Sequence, residues 1–296
     1  MKKLTAYLRL MRPANMVTSV ADVLAGITIS GFLTPFVCNA NHMLHVIGLC
    51  AGTAGLYGGG IVFNDVFDAS LDAVERPERP IPSGLVSLRQ AILLGIFLLL
   101  AGIMASLLVN PVSGLIAFSI VLAALVYDKW GKHQSFLGPL NMGLCRGLNL
   151  LLGVSIQTTA LSSCWFLAFI PVIYIASITM VSRGEVHGGG RPLLYTASIF
   201  YLLVMGSILY FAWTKQTLLF TFIFLLLFGW MIFRPLFSAI RQPSGKNIGK
   251  AVKAGVIALI VMDASWAAAF GSTVLALLIV LLLPVSLWLS GLFAVT

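Results

Sequence analysis

Charge is what this sequence has least of. Asp, Glu, Lys and Arg together make up 9% of its 296 residues, against roughly 25% in soluble globular domains, which excludes that class. Acids are rarer still, nine against 18 basic residues. The resulting net charge of +9 would point to nucleic acid in a soluble protein. Here the basic residues fall between apolar runs, where they act as topology signals, so no nucleic-acid partner is expected. Cysteine is sparse as well: Cys38, Cys50, Cys145 and Cys164 show no CxxC or metal-ligand spacing and read as small packing residues. The alternating segments of ~10 residues that mark a membrane β-barrel are missing.

What is present is apolar sequence in long runs. Hydrophobic residues reach 59%, and stretches of about 20 recur from end to end, each enough to span a bilayer as a helix. The spans read as 14–33, 42–64, 88–109, 111–128, 137–157, 162–181, 192–213, 217–238, 250–270 and 272–291. The first follows Lys2, Lys3, Arg9 and Arg12 like a signal peptide, but it is too long and carries Asp22, so it is read as a retained helix. The fold class is therefore an all-α polytopic membrane protein, residues 1–296 forming one transmembrane domain around a central cavity. With the N-terminus in the cytoplasm, every basic residue except Lys215 and Arg146 falls on the cytoplasmic side. The expected location is a bacterial inner membrane with the acidic loops facing the cytoplasm.

Most of the acids are gathered in one place. Asp65, Asp68 and Asp72 stand at i, i+3 and i+7 with Asn64 beside them, so a helix continuing out of the second span puts all of them on one face. Carboxylates there repel one another and face the negative end of the helix dipole. Compensation must come from a bound cation or from Arg76 and Arg79, which the prolines of the 76–84 loop hold close by. Three aspartates suit a metal ion, and two guanidiniums suit a phosphate, whose oxygens they bind bidentately. The glycine-rich stretch before them, Gly52 to Gly60, lets either a helix or a substrate tail approach the backbone closely.

Further polar residues interrupt later spans. Asn15 and Asp22 share a face of the first helix and either bond to a neighbouring helix or wall a cavity. Lys129 ends the fourth span, and Asn141, Arg146 and Asn149 lie in the fifth, where a buried arginine needs a partner or an anionic ligand. Ser182, Arg183, Glu185 and His187 follow the sixth span as the aspartates follow the second, hinting at two repeats of four helices with the site between them. Glu185 and His187 are candidates for metal binding or acid–base work. Asp263 is expected to face the interior.

With these clusters in place, the chain resembles the UbiA superfamily of intramembrane prenyltransferases, and the run from Ser182 to Gly189 is similar to a divergent bacterial branch, the EboC-like proteins. Arg12-Pro13 with Asn15 looks like the family's opening segment, and Asn64, Asp65, Asp68 and Asp72 fit its NDxxDxxxD motif. The resemblance implies nine helices, a Mg²⁺-held prenyl diphosphate and transfer of the isoprenoid to a small or lipid acceptor. It implies metal binding by Asp65, Asp68, Asp72 and, in the second motif, Glu185; taken with the residue chemistry above, a catalytic role is expected for these and His187, and substrate binding for Asn15, Asn64, Arg76, Arg79, Lys129, Asn141, Arg146 and Arg183. The second motif departs from the family pattern: Ser182, Glu185 and His187 leave a single carboxylate. Two alternatives follow, a binder or transporter of an isoprenoid or other metabolite, and a terpene cyclase.

Overall fold

The computed structural model describes residues 2–33, 40–185, 188 and 190–293, and all regular structure among them is helical. In chain order the helices are α1 (Lys2–Met11), α2 (Pro13–Ile29), α3 (Ala40–Phe67), α4 (Ala69–Glu75), α5 (Leu88–Val109), α6 (Pro111–Lys129), α7 (Leu137–Val154), α8 (Thr158–Cys164), α9 (Phe169–Ser182), α10 (Arg191–Thr214), α11 (Leu218–Arg241), α12 (Gly245–Ala269), α13 (Thr273–Val280) and α14 (Leu282–Leu292). Eight stretches among the described residues are long and apolar enough to cross a bilayer, counting α8 to α9 and α13 to α14 as one each. Two expected spans fall outside that set: α2 is shorter, and α7 carries Asn141, Arg146 and Asn149.

Local signals account for the helix limits. Ser87 and Gln90 form a reciprocal capping box at the start of α5, and Asn110 caps α6 ahead of Pro111 at its first turn. Pro171 and Pro284 lack the N–H that would bond Leu167 and Val280, and the chain breaks near each, between α8 and α9 and between α13 and α14. The expected spans over 162–181 and 272–291 are thus interrupted helices. Hydropathy also missed α1, whose Ala6 and Leu10 are buried against Val62, Val86 and Ala91. Pro13 disfavours helical geometry at the preceding residue, and Arg12 takes a left-handed turn (φ 46°, ψ 68°) between α1 and α2.

Two apolar cores organise the bundle. One joins α2, α3, α5, α6 and α7, and the other joins α2, α7 and α9 to α12. The most apolar stretch of α12 is 83% buried against 22% for that of α5, so α12 forms the middle of the bundle and α5 faces lipid. Close backbone approach fixes two crossings. A Cβ on Gly26 of α2 would stand 2.3 Å from the Leu150 carbonyl of α7, and one on Gly153 of α7 would stand 2.2 Å from the Val23 carbonyl. Between α3 and α5, a Cβ on Gly55 would come within 2.8 Å of the Leu98 carbonyl, and one on Gly102 within 2.8 Å of the Gly52 carbonyl. Most of the α3 glycine run therefore serves helix packing, while Gly60 borders the cavity.

Candidate functional site

A cavity of about 500 Å³ opens between the two cores, walled by α2, α3, α4, α6, α7, α9 and α12. Its mouth is polar. The expected helix through the aspartates is bent at Asp68, whose backbone (φ −88°, ψ 1°) separates α3 from α4. Its hydrogen-bond ladder nevertheless continues from the Asp68 N–H to the Asn64 carbonyl and from the Asp72 N–H to the Asp68 carbonyl. Asp65 and Asp72 consequently remain close enough to share Arg79, which donates to them over 3.3 and 2.6 Å.

The repulsion inherent in that acidic row is relieved by cations from three other segments. Arg12, held at the left-handed turn, donates to Asp65 at 3.0 Å. Lys132, in the turn after α6, pairs with Asp68. Asn64 donates to Asp128 of α6 at 2.8 Å, so the Asn64 to Asp72 row and the end of α6 form one polar surface. Asp68, Asp72, Asn64, Asp128, Arg76 and Arg79 all border the cavity. Asp65 lies behind them, 5% exposed, under Arg12 and Arg79.

Across the mouth stand Ser182 and Glu185. Glu185 Oε1 is buried without a hydrogen-bond partner among the described residues. Burial raises the carboxyl above its ordinary range, while Arg76 pulls it back. His187 lies outside the described residues. The two polar clusters expected on either side of a central site thus both reach the cavity, one from each group of helices.

Deeper in, apolar side chains such as Leu56, Ile120, Ile175, Ile178 and Val256 line the wall. Thr53, Tyr57, Arg146 and Asn149 also border the cavity there; along α3, Tyr57 and Thr53 lie about 12 and 18 Å from Asp65 at 1.5 Å per residue. Arg146 finds its partner in Asp22, with which it forms a buried ion pair. It also donates to the Thr18 hydroxyl at 2.6 Å and lies over the Tyr57 ring at 5.0 Å. Asn149 donates to Asp22 at 2.9 Å and accepts from Thr53 at 2.6 Å. Asp263 of α12 lies beside Asp22, and Asp22 Oδ1 and Asp263 Oδ2 have no hydrogen-bond partner among the described residues. Asp22 therefore serves contact between helices, and Asn15 borders the cavity.

Three expected substrate-binding residues lie elsewhere. Lys129 is exposed with its ammonium over the Trp130 ring at 4.6 Å, because α6 ends there and the following turn presents Lys132 instead. Asn141, with its amide oriented to satisfy both groups, donates to the Ala123 carbonyl and accepts from the Tyr127 N–H on α6, at 3.1 and 3.2 Å. Arg183 is exposed and donates to the Gln134 carbonyl at 2.6 Å. Sequence alone did not single out Arg12, Lys132 or Asp128 as partners of the Asn64 to Asp72 row. Arg12-Pro13 carried a readable break, but nothing local pointed Lys132 at Asp68.

The UbiA prenyltransferase family profile matches residues 23–252. Digeranylgeranylglyceryl phosphate synthase of Methanococcoides burtonii is 32% identical over 155 residues, covering 50% of this chain and 53% of that protein. The synthase of Sulfurisphaera tokodaii is 31% identical over 204 residues, 66% of this chain and 70% of its own length. The chain thus spans from about half to 70% of these curated relatives. A solved UbiA homologue from Archaeoglobus fulgidus bound to GPP and Mg²⁺ superposes with a TM-score of 0.64 at 16% identity, over 84% of this chain and 99% of that one, a likeness of fold. Since the profile runs over more than half of the chain and takes in both walls of the cavity, the chain belongs to the UbiA prenyltransferase family.

Proposed function

We propose that this chain, as a single transmembrane unit, is a Mg²⁺-dependent intramembrane prenyltransferase that moves an isoprenoid from a prenyl diphosphate to a small or lipid acceptor. The carrying observation is one cavity with hard oxygen donors and guanidiniums at its mouth and apolar walls behind them. A diphosphate matches the mouth and a prenyl tail matches the walls. The A. fulgidus homologue bound to GPP and Mg²⁺ supports the same pairing.

The donor set suits Mg²⁺. No group of three His, Cys, Asp or Glu side chains converges among the described residues, but Mg²⁺ retains water and needs only one or two carboxylates besides phosphate oxygens. Asp68, Asp72 and Asn64 would hold it, backed by Asp65, and the unpartnered Glu185 Oε1 facing them supports a second contact. When bound, the ion offsets charge on the diphosphate and on its departing oxygen. Arg76 and Arg79 bind the remaining phosphate oxygens through paired N–H donors. As the allylic carbon–oxygen bond breaks, pyrophosphate carries away the electron pair. The apolar wall keeps water from the allylic cation until the acceptor's nucleophile bonds to the carbon and releases a proton. Arg12 and Lys132 hold Asp65 and Asp68 in place. Lys129, Asn141 and Arg183, which lie outside the cavity lining, and His187 are retained as proposed substrate-binding or catalytic residues.

The synthase names of the relatives make a glyceryl phosphate lipid the first acceptor to test. The second motif, with Glu185 as its one acid, supports the EboC-like branch. Its single carboxylate is also the observation that favours the alternative of a binder or transporter. The setting we propose is a bacterial inner membrane with the cavity mouth toward the cytoplasm. Purified protein given geranyl, farnesyl or geranylgeranyl diphosphate with Mg²⁺ and membrane extract is expected to release pyrophosphate, and Asp68→Ala to lower the rate at least 100-fold. Metal-dependent donor binding without release would move the assignment to a binder. Release without acceptor would indicate a cyclase.

A further inference from the structure

The C-terminal end of α11 carries positive charge that no acid pairs with among the described residues. It lies on the same face of the bundle as the cavity mouth, since Gly188, next to the Glu185 loop, stands against the Pro243 carbonyl in the α11–α12 turn. Trp230, Phe233, Arg234, Phe237, Ser238 and Arg241 line a groove of about 630 Å³ there. Their three- and four-residue spacing makes one stripe along the helix. Trp230 is 60% and Phe237 56% exposed, so the stripe faces away from the bundle.

Charge and depth say what meets it. Arg234 lies over the Trp230 ring at 5.5 Å, and Arg191 at the start of α10 donates to the Arg241 carbonyl at 3.4 Å, adding a third guanidinium. None of the three forms an ion pair among the described residues, where the paired cations are Arg12, Arg79, Lys132 and Arg146. Arg234 stands seven residues before Arg241, about 10 Å deeper along the helix. A lipid-facing charge at that depth is costly unless an anion reaches it or it extends to the interface. Trp230 beside it is of the type enriched at the boundary between headgroups and acyl chains.

We propose that this groove binds an anionic membrane phospholipid, its phosphate held by Arg234 and Arg241 and an acyl chain lying along Trp230, Phe233 and Phe237. The guanidinium forks match phosphate oxygens, and a basic pocket at the membrane surface is the usual setting for an acidic headgroup. A free phosphate would use only the cations and leave the aromatic wall without a role.

The full chain is released from micelles containing equal phosphatidylglycerol and phosphatidylcholine and its bound lipid is read by native mass spectrometry. At least tenfold preferential retention of phosphatidylglycerol is expected, falling to parity in R234Q/R241Q. K246Q/K250Q, exposed near the same end but outside the groove, is expected to keep the wild-type preference. Equal retention of both lipids by wild type overturns the proposal, as does an undiminished preference in R234Q/R241Q. An equal loss in both double variants overturns it too, because diffuse surface charge would then suffice. If R234Q/R241Q melts below wild type, Arg234→Lys replaces it, keeping the charge without the fork; a threefold or greater loss is expected, and none overturns the site.

Discussion

Asp22 and Arg146 show how far a single buried charge constrains its surroundings. Their pair is almost wholly enclosed, with side chains 2% and 4% exposed, and Asp263 adds a second carboxylate beside the one guanidinium. Arg146→Met is expected to cost about 3–5 kcal/mol by leaving buried acid without a counter-charge. Asp22→Asn combined with Arg146→Gln should cost less than the two single changes added together, as read by thermal unfolding in detergent. Glu185 at the mouth makes a pH prediction. Its carboxyl is raised by burial, so the folded chain keeps the proton to higher pH than the unfolded chain. Its stabilising contribution is full below the ordinary carboxylate range and is lost as pH rises through the raised value. Glu185→Gln is expected to flatten the pH dependence of melting of the metal-free protein across that window.

Among the elements, α2 and α7 set the depth of the cavity. Their axes meet at Gly26 and Gly153 with no room for a methyl group against the opposing backbone. This crossing brings Thr18, Ser19 and Asp22 against Arg146 and Asn149. Gly153→Ala is expected to lower stability by about 1–3 kcal/mol, the usual range for overpacking, and to loosen the Asp22–Arg146 contact. Parallel loss of melting temperature and of prenyl diphosphate affinity would support this coupling; an unchanged melt would refute the close approach. The bend between α3 and α4 has a different physical origin. It leaves the backbone ladder intact and lets one arginine reach both Asp65 and Asp72. Periodicity located those acids on one face but carried no sign of the bend, since neither proline nor glycine marks Asp68.

At the scale of the molecule, orientation and metal dependence can be read directly. In a background lacking the four natural cysteines, Glu78→Cys is expected to react with an impermeant thiol reagent from the cytoplasmic side and Lys215→Cys from the other. Labelling of both from one side would reject the orientation drawn from the basic residues. Chelation with EDTA should abolish donor binding and Mg²⁺ alone restore it, with no large change in helical content, because the bundle rests on its apolar cores. The absence of charge from most of the chain made the membrane class legible. The short α1 and the broken helices α8–α9 and α13–α14 were not legible as such, because hydropathy averages over amphipathic turns and proline breaks.

Composition and spacing by themselves determined that this is a helical membrane protein with an acidic row after its second span and a polar cluster after its sixth. Those features arise from hydrophobic runs and from residues within a few turns of one another. Only the tertiary structure decided which cation meets which acid. Lys132 and Asp68 are 64 residues apart, and Arg146 and Asp22 are 124 apart, so no local periodicity links them. Their pairing follows from where α2, α3, α6 and α7 cross, and burial makes each such choice energetically decisive by removing the water that would otherwise serve any charge equally.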